Sequence, residues 1–227
     1  MANGLCIKQK KTFKPVKWTA ALLIAVLVGG TGFYGIRWFM TGELPPIASA
    51  AGFGMPQVEQ TVPSSGTIQS YTVPATQPRY ISIPSIGVAE TRVYAVGVTG
   101  NNALGAPKNI NDAGWYKKSA MPGSGYGAAL IDGYGPGYAK PGVFTNLSRL
   151  ATGARIVVER GDGKKFTYQV VSNETMSLAE AIPNGMRKMT VSADSTKEGL
   201  NLMGYAGTFV PRLGQFDERV MVRAVIE

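Results

Sequence analysis

The sequence of 227 residues contains no histidine and a single cysteine, Cys6. A disulfide within the chain needs two thiols, and the common zinc sites use cysteine and histidine ligands, so both are excluded. Histidine is also the most frequent general base near neutral pH, and its absence removes most routes to nucleophilic catalysis. The aspartates are scattered singly, without the spacing of a calcium loop. We therefore predict neither a cofactor nor a metal site.

Charged residues are also scarce, at 16% of the chain, whereas glycine (29) and proline (14) are abundant. This composition is typical of short strands joined by tight turns and favours an all-β fold with a few short helices. The net charge of +9 could suggest a nucleic-acid ligand, but much of it flanks one apolar run near the N-terminus. A nucleic-acid partner is therefore not predicted.

An apolar run without charged residues covers residues 18–36. A membrane-spanning helix takes about 20 such residues, and the aromatic and cationic residues at 33–39 are typical of a membrane interface. The apolar part of a cleaved signal peptide would be shorter, about 7–15 residues. The small residues Ala48-Ser49-Ala50 nevertheless keep cleavage open as an alternative. The prediction is a transmembrane helix over 18–37 that attaches the protein to the membrane.

Five lysines precede the apolar run and set the predicted orientation. Positive charge is retained on the cytoplasmic side, so residues 1–17 form a basic cytoplasmic tail and the chain that follows the transmembrane helix lies outside the cell. Residues 38–78 are rich in Pro, Gly and Ser and are predicted to be an extracytoplasmic linker. The remaining residues, 79–227, form the predicted domain of a single-pass membrane protein.

Short runs rich in β-branched and aromatic residues follow residue 78 and are separated by turn signals. They predict strands at 80–83, 128–131, 155–158, 166–171, 200–203 and 220–226. Only 143–150 and 177–182 have the pattern of short helical turns. Together these runs predict a barrel or a sandwich.

Seven short motifs follow one another between residues 79 and 227, and each by itself is weak. They are Arg79–Val88, Gly114–Tyr116, Pro122-Gly123, Asp132–Tyr134, Val143–Leu150, Leu200–Met203 and Arg219–Ala224. Their order and spacing resemble the sortase family, the membrane-anchored cysteine transpeptidases of bacterial surfaces, and most closely its class E and class F branches. The resemblance covers about two thirds of the chain and implies a closed β-barrel of about eight strands.

The sequence departs from the family pattern at the catalytic positions. Tyr134 stands where sortases carry the histidine, and Tyr205 stands where they carry the cysteine. The arginine persists as Arg219, with Arg212 as a poorer alignment. The resemblance therefore implies that two of the three catalytic groups are missing.

Sortases attack the Thr-Gly bond of a Leu-Pro-x-Thr-Gly signal with a thiolate, and the arginine stabilises the oxyanion. A phenol, with an ordinary pKa near about 10, is a poor substitute when no imidazole can deprotonate it. Thr208 with Asp132 is a second candidate pair, but a carboxylate is a weak base for a hydroxyl. Tyr134 and Tyr205 are either filler in a closed site or contacts for a ligand. We expect Tyr134→Ala to cost less stability than Tyr205→Ala, because Tyr134 lies on a glycine-rich turn.

The sequence thus predicts a membrane-anchored sortase homologue without competent catalytic residues, which acts as a peptide- or protein-binding or assembly module at the bacterial cell surface. Its expected ligand is an extended peptide similar to a sorting signal, or another surface protein. Two alternatives stay open. One is an active transpeptidase or peptidase with unorthodox residues, and the other is a purely structural ectodomain of an envelope complex.

Overall fold

The computed structural model describes residues 16–41, 58–100, 104–136 and 140–227, apart from the side chains of 16–25, 27, 38, 41 and 184–186. The chain divides into two compact units, Met1–Pro45 and Pro46–Glu227. The first contains helix α1, Val16–Thr41, which includes the predicted span 18–37. Within the part of the chain described in full, no helix is both long enough and apolar enough to cross a membrane. The predicted tail, apart from its last two residues, and 42–57 of the linker lie outside the described residues.

The second unit is a closed β-barrel of eight strands, which confirms the predicted fold class. The strands are β1 Pro78–Ile83, β2 Val88–Val96, β3 Ala113–Tyr116, β4 Ala128–Gly133, β5 Arg155–Arg160, β6 Lys165–Ser177, β7 Gly199–Val210 and β8 Gln215–Ile226. The short helices are α2 Ser65–Gln69, α3 Leu178–Glu180 and α4 Met186–Lys188, with 3₁₀ turns at Pro84–Ile86 and Leu147–Arg149 and a π-helical turn at Ala181–Gly185.

The strand order around the barrel is β1-β2-β3-β4-β7-β8-β6-β5. Neighbouring strands are antiparallel except at β2 with β3 and at β4 with β7, which run parallel. The parallel pairing of β4 with β7 joins parts of the chain about 70 residues apart in the sequence. It determines which side chains stand next to each other on the barrel surface.

Alternate residues of each strand point into the barrel and form one apolar core. Ile131, Leu202 and Val222 lie side by side on β4, β7 and β8 and are fully buried there. The helical segment that follows β4 closes the barrel, because Phe144 and Leu147 belong to the same core. Residues of the opposite parity on these three strands therefore face outward.

The structure adds to the sequence prediction in three places. Strands β2 and β3 were not predicted, and β6, β7 and β8 are longer than the predicted runs. The predicted helical stretch 143–150 forms one 3₁₀ turn, whereas the one predicted at 177–182 continues without a break from Leu178 to Lys188. The described end of the predicted linker packs on the barrel, since the hydroxyl of Tyr71 donates to the carbonyl of Val93 at 2.6 Å and the hydroxyl of Tyr80 donates to Ile68. The folded unit therefore begins before residue 79.

Candidate functional site

The outward faces of β4, β7 and β8 form a continuous array of nine side chains, here called the outer array. The array consists of Leu130, Asp132 and Tyr134 from β4 and its end, Asn201, Met203 and Tyr205 from β7, and Arg223, Met221 and Arg219 from β8. In each strand these residues are two apart and alternate with residues of the barrel core. The three positions singled out from the sequence make up one edge of this array.

Strand register brings Tyr134, Tyr205 and Arg219 together. Gly133 pairs with Gly204 across the parallel strands, so the two tyrosines that follow them are neighbours. Their ring centroids are 6.2 Å apart. Tyr205 pairs directly with Arg219 across β7 and β8, and the Cζ atom of Arg219 lies 4.7 Å from the centroid of the Tyr205 ring. That distance is within the range of a cation–π contact.

Arg219 is buried, and its guanidinium is bound within its own strand. Nη1 donates to the carbonyls of Phe216 and Glu218 at 2.9 and 2.8 Å, and Nη2 donates to Oε1 of Gln215 at 2.9 Å. Burial lowers the pKa of Arg219, and the adjacent Tyr205 opposes that shift. The arginine is therefore held by neutral acceptors and one aromatic face, all supplied by the β7–β8 hairpin.

Tyr134 is held from the other side. It is almost completely buried, and its hydroxyl donates to the carbonyl of Pro107 at 2.9 Å. Gly135 then brings the chain against β7 so closely that a Cβ atom there would lie 1.8 Å from the carbonyl oxygen of Tyr205. The described part of the glycine-rich turn, residues 133–136, therefore packs closely against β7.

Aromatic rings extend the cluster along the hairpin. The centroid of the Tyr205 ring is 6.2 Å from that of Phe216, and Phe216 packs edge-on against Phe209 at 5.5 Å. Such tilted and edge-on pairs are favourable aromatic geometries. Sequence reasoning did not select Phe216 or Gln215, because nothing in the linear pattern shows that they surround Arg219.

Asp132 pairs with Met203 in the middle of the three paired sets of the array, on the β4 side, and is fully buried. Within the described part of the chain, neither of its carboxyl oxygens accepts a hydrogen bond of normal geometry. Burial raises its pKa well above the ordinary range, and its own backbone N–H opposes the shift in part. Gly114 on the adjacent strand makes room for the carboxyl group, since a Cβ there would lie 2.3 Å from Oδ1. In the sequence, Asp132 was singled out only as a possible partner of Thr208, and nothing in the local pattern indicates its burial.

The other candidates lie apart from this edge of the array. Thr208 is exposed in the β7–β8 hairpin, where its amide donates to Oδ1 of Asp217 at 2.6 Å. Arg212 is exposed in the turn of the same hairpin. Among the described residues, no group of three or more carboxylate, cysteine or histidine side chains is placed to hold a metal ion.

A family model for the sortase domain matches residues 81–227. This chain belongs to the sortase family. Solved structures similar to it include sortase C1 of Streptococcus agalactiae, at 20% identity over 79% of this chain and 83% of that chain with a TM-score of 0.49. Another is a lid mutant of sortase A from Corynebacterium diphtheriae, at 21% identity over 70% and 73% with a TM-score of 0.48.

A sortase D5 transpeptidase of Clostridium perfringens is similar at 20% identity over 65% of this chain and 76% of that chain, with a TM-score of 0.45. Among curated proteins, none matches the chain. Its outer array holds two phenols and a guanidinium at one edge and an unpaired acid beside them.

The burial of the two tyrosines reverses the stability order expected from the sequence. Tyr134 is 7% exposed and hydrogen-bonded, whereas Tyr205 is only partly buried. We expect Tyr134→Ala to lower the free energy of unfolding by about 3–4 kcal/mol and Tyr205→Ala by about 1–3 kcal/mol, by analogy with aromatic truncations in cores. Urea denaturation measures both, with Tyr126→Ala as control because that ring is 75% exposed. Equal stability of all three variants would contradict the packed cluster.

Proposed function

We propose that this sortase-family protein is catalytically silent and that it binds an extended peptide or a protein partner at the bacterial surface. In this proposal, residues 18–37 anchor it in the cell membrane and the barrel lies outside. In the same proposal the chain is nearest the class E and class F branches, with Tyr134 in the histidine position and Tyr205 in the cysteine position. The proposal rests first on the chain having no histidine and no cysteine after Cys6.

The observation that carries the proposal is the contact between Tyr205 and Arg219. In this proposal Tyr205 occupies the nucleophile position. The centroid of its ring lies 4.7 Å from Cζ of Arg219. The guanidinium also donates hydrogen bonds to Phe216, Glu218 and Gln215, at distances of 2.8–2.9 Å. An oxyanion would have to compete with these acceptors. The arrangement is suited to packing and recognition and poorly suited to acyl transfer.

A binding role is favoured over a purely structural one by the unsatisfied groups of the array. A buried carboxyl group without a hydrogen-bond partner lowers the stability of the fold. A purely structural domain gains nothing in return for this loss. Asp132 is such a group among the described residues. A ligand that reaches the array and donates to Asp132 would remove that cost.

A turnover assay tests whether the protein is catalytically silent. The full chain in detergent is incubated with a quenched Leu-Pro-x-Thr-Gly peptide, with and without a glycine or lysine amine, and cleavage and joining are followed by mass spectrometry. We expect no product above buffer, because neither a thiolate nor an imidazole is present on the barrel. Tyr205→Phe is the matched control, since it removes only the phenol oxygen. Turnover by the parent above this control would instead support an enzyme with unorthodox residues.

A further inference from the structure

The outer array is partly covered by the chain itself. The connection between β6 and β7 begins with a capping box in which Ser177 and Glu180 bind each other's backbone amides, and then forms α3, the π-helical turn and α4. We call residues 178–192 the cover segment. Met189, at its far end, is 1% exposed and packs with Leu130, Met203 and Met221 of the array.

The polar contacts that hold the cover segment use its main chain. Nδ2 of Asn201 donates to the carbonyls of Met189 and Val191 at 3.0 and 2.9 Å. Nη2 of Arg223 donates to the carbonyls of Ser192 and Val191 at 2.9 and 3.3 Å. Carbonyl oxygens and one unbranched apolar side chain are features that many peptides offer, so these contacts do not require this particular segment.

The cover segment also leaves the array incompletely satisfied. Among the described residues, both oxygens of Asp132, Oδ1 of Asn201 and Nε of Arg223 are buried without a hydrogen-bond partner. The segment supplies acceptors to Asn201 and Arg223 but no donor to Oδ1 of Asn201. An occupant that brought a main-chain N–H group to Oδ1 of Asn201, together with the same carbonyl contacts, would satisfy more of the array than the cover segment does.

We infer that the cover segment is an intramolecular occupant of a peptide-binding strip and that an external extended peptide with a Met-like anchor displaces it. The inference rests on the proposed binding function and describes how that site is regulated. The strip is the part of the outer array that lies next to the Tyr134, Tyr205 and Arg219 edge. It consists of two sets of paired residues, Leu130, Asn201 and Arg223 in one and Asp132, Met203 and Met221 in the other. The anchor of the incoming peptide takes the place of Met189, and its main-chain N–H groups donate to Oδ1 of Asn201, whose Nδ2 binds the cover segment. Binding is weak as long as the cover segment stays in place, because the strip is then rarely free.

The probe for this inference is a fluorescent peptide with the sequence of residues 185–193, and the control peptide has serine at the position of Met189. Binding to the full chain in detergent is measured by fluorescence anisotropy. Met189→Ala removes the internal anchor, and Met189→Leu keeps an apolar one. We expect Met189→Ala to bind the probe at least about tenfold more tightly than the parent and Met189→Leu. The control peptide should bind at least about tenfold more weakly than the probe.

Hydrogen exchange on the parent keeps the test informative if Met189→Ala fails to fold. At high probe concentration, the amides of residues 178–192 should lose protection while those of β4, β7 and β8 keep it. Equal affinity of parent and Met189→Ala, no binding by either, or undiminished protection of 178–192 would overturn the inference. Equal, measurable affinity of the two proteins would overturn only this inference, whereas no binding by either would also count against the proposed binding function; catalytic silence is judged separately, by turnover.

Discussion

The double variant Tyr134→His, Tyr205→Cys is expected to be alkylated by a peptide-vinyl sulfone, whereas the parent barrel is not. The substitutions place an imidazole and a thiol beside Arg219, because strand register already brings positions 134, 205 and 219 together. A cysteine alone, with an ordinary pKa near about 8.5, is mostly protonated at neutral pH. A neighbouring histidine raises its thiolate fraction, so we expect the double variant to react at least about tenfold faster than Tyr205→Cys alone.

Gly204 should be left unchanged in this experiment, although sortases carry threonine there. A Cβ atom at Gly204 would lie 3.0 Å from a methyl group of Leu147 in the barrel core, and threonine would add two further heavy atoms. All variants carry Cys6→Ser, so that position 205 holds the only thiol. Alkylation is followed by intact mass at pH 7. A folded double variant that reacts no faster than Tyr205→Cys would mean that the two positions do not act as a pair.

The Asp132→Asn variant is expected to abolish a large part of the pH dependence of stability. Burial raises the pKa of Asp132 in the folded protein well above its unfolded value of about 3.9. The folded state therefore holds this proton more tightly than the unfolded state. Its stabilising effect is complete below the unfolded pKa and is lost as the pH rises towards the folded pKa.

In that interval the parent should lose about 1.4 kcal/mol of stability per pH unit through this one group. Asparagine has nearly the same shape as aspartate and does not titrate. The free energy of unfolding of Asp132→Asn should therefore rise relative to that of the parent as the pH increases from about 4. Urea denaturation at a series of pH values measures the difference. An unchanged pH profile would mean that Asp132 reaches solvent or a donor in solution.

Asp162→Asn provides a control of opposite sign. Asp162 lies at the surface, and its hydrogen bond with Arg160 lowers its pKa to about 2. The contribution of Asp162 to stability is present above the unfolded pKa and is lost as the pH falls towards 2. The two variants should therefore change the profile in different pH ranges and in opposite directions.

Much of the barrel could be predicted because its signals are local. Runs such as 128–131 and 200–203 are apolar, β-rich and bounded by turn residues, so their conformation depends little on distant parts of the chain. Strands β2 and β3 were not predicted. Buried and exposed residues do not alternate regularly along Val88–Val96, and β3 has only four residues. Such strands are defined by their neighbours more than by their own pattern.

The candidate site was predicted only as far as the motif order extends. That order selected Tyr134, Tyr205 and Arg219, and the structure brings the three together. It did not select Asp132 as an unpaired acid or Met189 as a buried anchor. A charged residue on a short strand and a methionine in a polar stretch have no distinguishing local pattern, since their burial depends on what folds over them.

By itself, the sequence determined the chemistry that the barrel does not have, because a chain without histidine and with no cysteine after position 6 cannot form a thiolate–imidazole pair there. It also determined the strand-forming runs, through local propensity and turn residues. Only the tertiary structure decided which side chains share the outer array. The reason is that β4 and β7 pair across about 70 residues of sequence, and register between strands so far apart depends on closure of the whole barrel, whereas the turn of the β7–β8 hairpin sets the register of β8.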